Sequence, residues 1–544
     1  MNRTIAILAS VAAAAVPALA CTNFIAGKLA TTDGSVLITY AADSHTLYGD
    51  LSHTPAAVHK DGAMRKVVEW DTGKPLGEIP QPRQTYNVVG NMNEYQVAIG
   101  ETTWGGREEL MDTTGNSIID YGSLIQIALE RSKSAPEAID VMTSLVAEYG
   151  YASEGESFTI ADKNEVWVMD MIGKGAEKGA VWIAVRIPDD AICAHANEPR
   201  IRQVDLKDKK NVRYSKDMIE FARSRGYFSG KDSDFSFADA YCVHDVATRR
   251  SCDARAWAYM RKFAPGFDKY YSWISGESDK AMPLYVVPEK KVSLEDMMTC
   301  MRDHYEGTPL DMTQDVGAGP FHVPYRWRPM EYEVDGKKYC MERATATQQT
   351  GWSFVAQCRS WLPDPVGGLF WFGTDDTNTC VYMPLYCSLT EVPMQFTVGD
   401  LYNFDMNSNF WMNNWVANQA YARYDQMIPD IRKVQNGLED KYRSSRAESD
   451  AALAALAEAG FDGQLTTVVN EQAAAIAKEA TDSYRSLAEY LLVKFMDGNV
   501  KKQNDDGSFK RNAYGLPASP EWPGYDKKYY ENIVKESGEH FLIK

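Results

Sequence analysis

A cysteine at position 21 directly follows a segment with the features of a secretory signal peptide. Residues 1–20 carry Arg3 near the start, an apolar stretch over residues 5–16, and Ala18-Leu19-Ala20, which fits the small-x-small rule for cleavage. Cleavage after Ala20 would leave a thiol and an α-amine on the same first residue, a nucleophile beside its own base. A chain that begins in this way has to hold its first residue in a fixed direction, which a strand does and a flexible tail does not.

Two other interpretations of Cys21 stay open at this point. In bacteria a cysteine after a signal segment is often the site of lipid attachment, which prefers a large aliphatic residue three positions earlier and small residues beside the cysteine. Here those positions hold Ala18 and Leu19, so ordinary cleavage fits better. The third interpretation is a cysteine with a purely structural role.

Composition limits the class of protein and its partners. With 44% hydrophobic and 24% charged residues the chain is typical of a soluble globular protein, and after residue 20 no apolar run reaches the 18 or so residues that cross a bilayer. The net charge of −18 argues against nucleic acid or an anionic membrane as a partner. We therefore expect no membrane association once the signal segment is removed, and homo-oligomerisation stays open.

Eight further cysteines follow Cys21, and an exported protein can carry disulfides. Cys242 with Cys252, and Cys380 with Cys387, are close enough in sequence to pair locally, with buried thiols as the alternative. The chain contains no C-x-x-C or H-E-x-x-H spacing, no G-x-S-x-G elbow and no G-x-x-x-x-G-K loop. We therefore expect neither a metal nor a cofactor.

The order of strand-like and helix-like segments predicts an α+β fold. Residues 21–27 and 36–40, separated by the turn Thr32-Asp33-Gly34-Ser35, indicate a hairpin with Cys21 at the head of its first strand. A strand-rich block at 86–103 is followed by helical patterns at 121–133 and 134–149, and strands then return. In the second helix Ser134 is the predicted N-cap, and Pro136 lies in the first turn. This order favours a four-layer αββα sandwich.

Helical periodicity dominates the C-terminal part of the chain. Ile476, Ala480, Tyr484, Leu487 and Leu491 share a 3.6-residue period. We therefore predict a signal peptide at 1–20, a catalytic αββα domain at 21–400, and a mainly helical region at 401–544 packed on that domain.

Three sequence blocks resemble a known enzyme family. CTNFIAGKLATTDGSVLITYAADSH, GNMNEYQVAIGETTWGG and GESFTIADKNEVWVMDMIG are similar to the cysteine dipeptidases of the N-terminal-nucleophile hydrolase superfamily, of the dipeptidase A type. Penicillin V acylase and bile salt hydrolase are more distant members of that superfamily. The resemblance extends to about residue 400 and implies the αββα sandwich of that superfamily.

The resemblance also implies catalytic roles for particular residues. Cys21 matches the nucleophile, and Asp43 matches an aspartate that binds the α-amine of that cysteine, with a turn-capping residue as the alternative. Asn197 matches an oxyanion-binding asparagine, or else is an ordinary turn residue. Arg255 is the candidate for an arginine late in the site, with Arg250 and Arg200 as rivals.

Tyr40 and Thr102 are the candidates for contacts with the substrate. The family usually has an arginine where this chain has Tyr40, so a positive charge near the thiol has to come from elsewhere or be absent. Tyr40 either donates a hydrogen bond or is a plain strand aromatic. Thr102 lies where relatives supply a second oxyanion or substrate contact.

The leading functional hypothesis is an exported cysteine dipeptidase, periplasmic or extracellular, that cleaves dipeptides through a thioester on Cys21. A thiol pKa near about 8.5 and an α-amine pKa near about 7.7–8.0 allow the amine to act as base. One alternative is an amidase for N-acyl compounds in the manner of penicillin V acylase or bile salt hydrolase. The other is a lipid-anchored binding protein without catalysis.

Overall fold

The computed structural model describes residues 21–543, so the predicted signal peptide at 1–20 lies outside the described residues. The strands are numbered along the chain as follows: β1 Asn23–Ala26, β2 Val36–Asp43, β3 His53–Thr54, β4 Ala57–Val58, β5 Met64–Val68, β6 Pro75–Pro80, β7 Gln84–Thr85, β8 Val88–Val89, β9 Met92–Asn93, β10 Ala98–Trp104, β11 Gly155–Ala161, β12 Val166–Lys174, β13 Glu177–Ile187, β14 Ile192–His195, β15 Val212–Tyr214, β16 Tyr285–Val286, β17 Glu331–Val334, β18 Lys337–Cys340, β19 Thr350–Cys358, β20 Gly368–Thr374 and β21 Met383–Tyr386.

The α-helices, numbered in the same way, are α1 Tyr121–Arg131, α2 Ala135–Tyr149, α3 Met218–Ser224, α4 Phe237–Tyr241, α5 Val246–Thr248, α6 Ala254–Phe263, α7 Tyr271–Ile274, α8 Leu294–Cys300, α9 Asp364–Gly367, α10 Asn409–Ala420, α11 Tyr424–Ser444, α12 Arg446–Glu458, α13 Asp462–Lys494 and α14 Lys527–Ser537. A π-helical turn, Arg249–Asp253, leads directly into α6.

Two antiparallel sheets form the centre of the protein. One has seven strands in the order β16-β14-β1-β2-β19-β20-β21, and the other has eight in the order β15-β13-β12-β11-β10-β9-β8-β3. The predicted N-terminal hairpin is confirmed, since Ile25 pairs with Ile38 and Ala26 with Leu37. Strand β1 also pairs with β14, which places the start of the described chain inside a sheet.

Helices cover the outer face of each sheet, so the predicted four-layer αββα arrangement is confirmed. Helices α1 and α2 share a buried cluster with strands of the eight-stranded sheet. Ser134 caps α2 by accepting from the Glu137 backbone nitrogen, and Pro136 lies in its first turn, as predicted. On the other side α6, α8, α10 and α13 contact the seven-stranded sheet.

The C-terminal part of the described chain is helical from α10 onward. The predicted apolar stripe on α13 is buried at all five positions, and the helix contacts α10 and β21. All nine cysteines are unpaired thiols, so neither of the two local pairings is formed. Within residues 21–543 no helix has both the length and the apolar character needed to cross a membrane.

Candidate active site

Cys21 lies at the head of β1, in the interior of the protein. The next residue, Thr22, accepts a hydrogen bond from the Ala41 backbone nitrogen at 3.1 Å, which ties the start of β1 to β2. The Cys21 side chain is buried, with 4% of its surface exposed. Strand pairing on both sides therefore fixes where the thiol and the backbone nitrogen of Cys21 point.

The thiol of Cys21 faces a tyrosine and a glutamate. Its Sγ lies 3.7 Å from the Tyr40 hydroxyl and donates to Oε1 of Glu101 at 3.4 Å. Tyr40 donates to the same carboxylate oxygen. Of the two alternatives for Tyr40, a hydrogen-bond donor or a plain strand aromatic, the structure shows the donor, beside the Cys21 thiol.

Burial raises the pKa of the Cys21 thiol well above its ordinary value. The negative charges of Glu101 and Asp43 raise this pKa further, against smaller lowering effects from the Asp43 backbone and the Tyr40 side chain. The thiol is therefore protonated at neutral pH. A protonated thiol needs a base at the moment of attack, since the nucleophile is the thiolate.

The backbone nitrogen of Cys21 is held by Asn197. This nitrogen donates to Oδ1 of Asn197 at 2.9 Å, and Arg255 Nη2 donates to the same oxygen at 3.0 Å. The amide Nδ2 of Asn197 donates to the Thr103 carbonyl at 2.6 Å. Asn197 has a left-handed backbone, φ 58°, which asparagine tolerates better than most residues. The side-chain oxygen of Asn197 thus accepts from two donors. An oxyanion needs a donor, and in this side chain only Nδ2 carries hydrogens.

The carboxylate of Asp43 is bound to residues other than Cys21. Its Oδ2 accepts from Arg343 Nη2 at 2.5 Å, and its Oδ1 accepts from Thr350 at 2.6 Å. Register explains the second contact, since Thr350 is opposite Asp43 in the β2–β19 pairing. The contact that the resemblance implied, between this carboxylate and the Cys21 nitrogen, is replaced in the structure by that of Asn197.

Arg255 is the one of the three candidate arginines that contacts Cys21. Its Nη1 donates to the Cys21 carbonyl at 2.7 Å and to the Thr22 hydroxyl at 2.8 Å, and its side chain is buried. It lies in the first turn of α6, directly after the π-helical turn. The two rivals lie elsewhere: Arg250 pairs with Glu342, and Arg200 binds the carbonyls of Ala194 and Pro283.

Arg343 is a site residue that the sequence did not reveal. It forms a buried ion pair with Asp43, and its charge together with burial lowers the pKa of Arg255, burial being the larger cause. Two buried arginines therefore lie near Cys21, Arg255 on its carbonyl and Arg343 on Asp43. No local motif marks Arg343, since 300 residues separate it from Asp43 in sequence.

A comparison with protein-family models identifies the family of this chain. The sequence model of Peptidase family C69 matches residues 20–437, which is well over half of the chain. The chain belongs to peptidase family C69. This C69 peptidase is therefore a hydrolase, and its resemblance to the dipeptidase A type is confirmed.

Curated relatives of this C69 peptidase carry dipeptidase names. A "Probable dipeptidase" of Latilactobacillus sakei is 24% identical over 85% of this chain and 93% of its own length. A "Probable dipeptidase" of Salmonella dublin is 25% identical over 68% of this chain and 81% of its own. A "Dipeptidase" of Bifidobacterium longum is 24% identical over 73% of this chain and 76% of its own.

Among solved structures, penicillin V acylase from Agrobacterium tumefaciens overlaps this C69 peptidase with a TM-score of 0.29 and 12% identity. The overlap covers 67% of this chain and 86% of the acylase. An overlap of this size decides neither fold nor substrate, and the αββα layers are evident from the sheets and helices themselves.

Thr102 points to a histidine in this C69 peptidase rather than to the thiol. Its hydroxyl lies 2.7 Å from Nδ1 of His195, and the hydroxyl of Thr159 lies 2.7 Å from Nε2 of the same ring. Burial, followed by the charge of Arg200, lowers the pKa of His195 to about 3, so the ring is neutral. The predicted substrate contact of Thr102 stays a prediction. In the same strand it is Glu101 that reaches the thiol.

One group of three side chains within residues 21–543 has ligand atoms close enough to hold a metal ion. Glu198, Cys242 and His244 place these atoms within 4.8 Å of one another. Glu198 and His244 are ion-paired with each other, and the carboxylate raises the pKa of the imidazole against the effect of burial. The thiol chemistry that the sequence predicts uses none of the three.

Proposed function

We propose that this C69 peptidase is an exported cysteine dipeptidase that hydrolyses dipeptides through a thioester on Cys21, with the α-amine of the same residue as general base. The observation that carries the proposal is the contact of the Cys21 nitrogen with Oδ1 of Asn197 at 2.9 Å, on the residue whose thiol is buried and protonated. The dipeptidase names of the curated relatives support the substrate class.

The proposed reaction has two halves. In the first, the thiol attacks the peptide carbonyl while the α-amine takes its proton, and the protonated amine then donates that proton to the leaving amino group. The second amino acid leaves and the first stays as a thioester. In the second half, the amine takes a proton from water as the water attacks the thioester, and the first amino acid is released with the thiol restored.

Residues around Cys21 have positioning roles in this proposal. Arg255 holds the Cys21 carbonyl. Asn197 orients the Cys21 nitrogen so that the lone pair of the free amine is directed toward the thiol proton. The side-chain amide of Asn197 is the donor proposed for the oxyanion. Arg255, whose Nη1 donates to the Cys21 carbonyl, is the buried cation proposed to offset the negative charge that develops on the thiolate.

Signal cleavage doubles as activation in this proposal. While Ala20 is attached, the Cys21 nitrogen is an amide and cannot accept a proton. Cutting the Ala20–Cys21 bond turns this nitrogen into an amine, so the base exists only after export. The proposed location is therefore the periplasm or the extracellular space.

The test uses the purified chain beginning at Cys21 and two substrate sets, a panel of dipeptides and the N-acyl amides penicillin V and a taurine-conjugated bile salt. We expect the best dipeptide to give a kcat/KM at least about 100-fold above either N-acyl compound, because a carboxylate, that of Glu101, lies beside the thiol. Liquid chromatography of the amine or amino acid that each substrate releases measures kcat/KM for both substrate sets. Hydrolysis of the N-acyl compounds without hydrolysis of dipeptides would contradict the proposal.

A further inference from the structure

Two glutamates lie side by side next to the nucleophile. Glu101 and Glu156 are 1% and 0% exposed. Oε1 of Glu101 accepts from the Cys21 thiol at 3.4 Å and from Tyr40, and Oε1 of Glu156 accepts from Thr103 at 2.6 Å. The second oxygen of each carboxyl group is buried and has no hydrogen-bond partner from a donor in the described residues.

The two carboxyl groups affect each other's ionisation. Burial raises the pKa of each, and the nearby charge of Glu101 raises the pKa of Glu156 well above its ordinary value. As the pH rises, the first negative charge of the pair is therefore expected on Glu101, as for two acids that share a site.

No lysine or arginine within residues 21–543 is hydrogen-bonded or ion-paired to either carboxyl group; their contacts are the thiol, two hydroxyls and each other. A buried carboxylate without a cation is unfavourable. A cation that arrives from outside the protein would offset this charge.

The geometry of attack on a peptide places one cation of the substrate near Glu101. Standard bond lengths put the α-nitrogen of a residue about 2.5 Å from its own carbonyl carbon. Attack requires that carbon to lie about 3–3.5 Å from Sγ. The α-ammonium of the residue being cleaved therefore lies within about 6 Å of Sγ. Glu101 Oε1 lies 3.4 Å from the same sulfur, so the ammonium and the carboxylate are both close to Sγ.

We infer that Glu101, backed by Glu156, binds the α-ammonium of the substrate's N-terminal residue and so restricts the enzyme to peptides with an unblocked N-terminus. The inference rests on the proposed dipeptidase function and adds the residues that select the substrate. The ammonium supplies the cation that the buried carboxylate lacks, and binding it sets the scissile carbonyl against the thiol.

The test compares dipeptides with analogues that lack only the α-amino group. The probes are Ala-Ala with propionyl-Ala, and Leu-Ala with 4-methylpentanoyl-Ala. For Glu101→Gln, which keeps the shape and removes the charge, we expect kcat/KM on the better dipeptide to fall about 100-fold, as for a buried charged hydrogen bond. The inhibition constants of the two analogues, measured by competition, should change less than about threefold.

Glu130→Gln is the matched control. Glu130 lies on α1, is as buried as Glu101, and pairs with Arg65 of β5. It should leave the ratio between dipeptide and analogue unchanged, and thermal unfolding of both variants checks that they are folded. If the wild type cleaves neither dipeptide, the proposed function and the inference both fail. If the wild type cleaves dipeptides but Glu101→Gln keeps the wild-type ratio, or weakens dipeptide and analogue equally, the inference fails and the proposed function stands.

Discussion

Replacing Cys21 with serine is expected to lower kcat for dipeptides by about 1,000-fold or more. A serine hydroxyl is far less acidic than a thiol, so the α-amine, with a pKa near about 7.7–8.0, cannot take its proton as readily. Removing a nucleophile from a unit of residues that act together costs most of the catalysis. The measurement is the initial rate of dipeptide hydrolysis by the chain beginning at residue 21, under saturating substrate.

The control for this substitution is Cys340→Ser. Cys340 is the one cysteine that is not fully buried, in the β17–β18 hairpin, and nothing in the proposed chemistry involves it. Its replacement should leave kcat within about twofold. A Cys21→Ser enzyme that kept a tenth or more of the wild-type kcat would contradict a thioester on Cys21.

Asp43→Asn is expected to destabilise the protein by about 3 kcal/mol and to lower the pKa of the Cys21 thiol. The stability effect follows because the substitution removes the carboxylate from the Arg343–Asp43 pair, whose side chains are 7% and 0% exposed, and breaking a buried pair is costly. The pKa effect follows because the Asp43 charge raises the thiol pKa. Chemical denaturation measures the first effect, and the pH midpoint of alkylation by iodoacetamide measures the second.

A surface pair provides the comparison for Asp43→Asn. Asp268 pairs with Arg261, and the two side chains are 56% and 25% exposed. Asp268→Asn should change the free energy of unfolding by about 1 kcal/mol or less, as is usual for exposed pairs. An alkylation midpoint that stayed in place or moved to higher pH in Asp43→Asn would contradict the electrostatic account of the thiol.

Local patterns predicted the parts of the fold that depend on neighbours in sequence. The turn Thr32-Asp33-Gly34-Ser35 between two apolar runs predicted the hairpin that holds Cys21. Ser134 and Pro136 predicted the start of α2, and the 3.6-residue period predicted the buried face of α13. Each of these features is decided by residues within a few positions of one another, so a single sequence contains the signal.

The site was harder to predict because distant segments meet there. Three arginines were candidates, and the tertiary fold alone decides that Arg255 faces Cys21. Arg343 gave no signal, since strand β19 brings its neighbourhood to Asp43 only in the folded chain. Glu101 was overlooked in favour of Thr102. The two residues are adjacent in β10, yet Glu101 reaches the thiol and Thr102 reaches His195, so one position decides between these two contacts.

The most direct test of the central claim is the α-amine itself. Two purified forms are compared on the same dipeptide panel, one beginning at Cys21 and one with a single additional glycine before Cys21. The account predicts hydrolysis by the first form and a loss of at least about 100-fold in the second, because its Cys21 nitrogen is an amide without a basic lone pair. Equal activity of the two forms would contradict the account, since the α-amine could not then be the base.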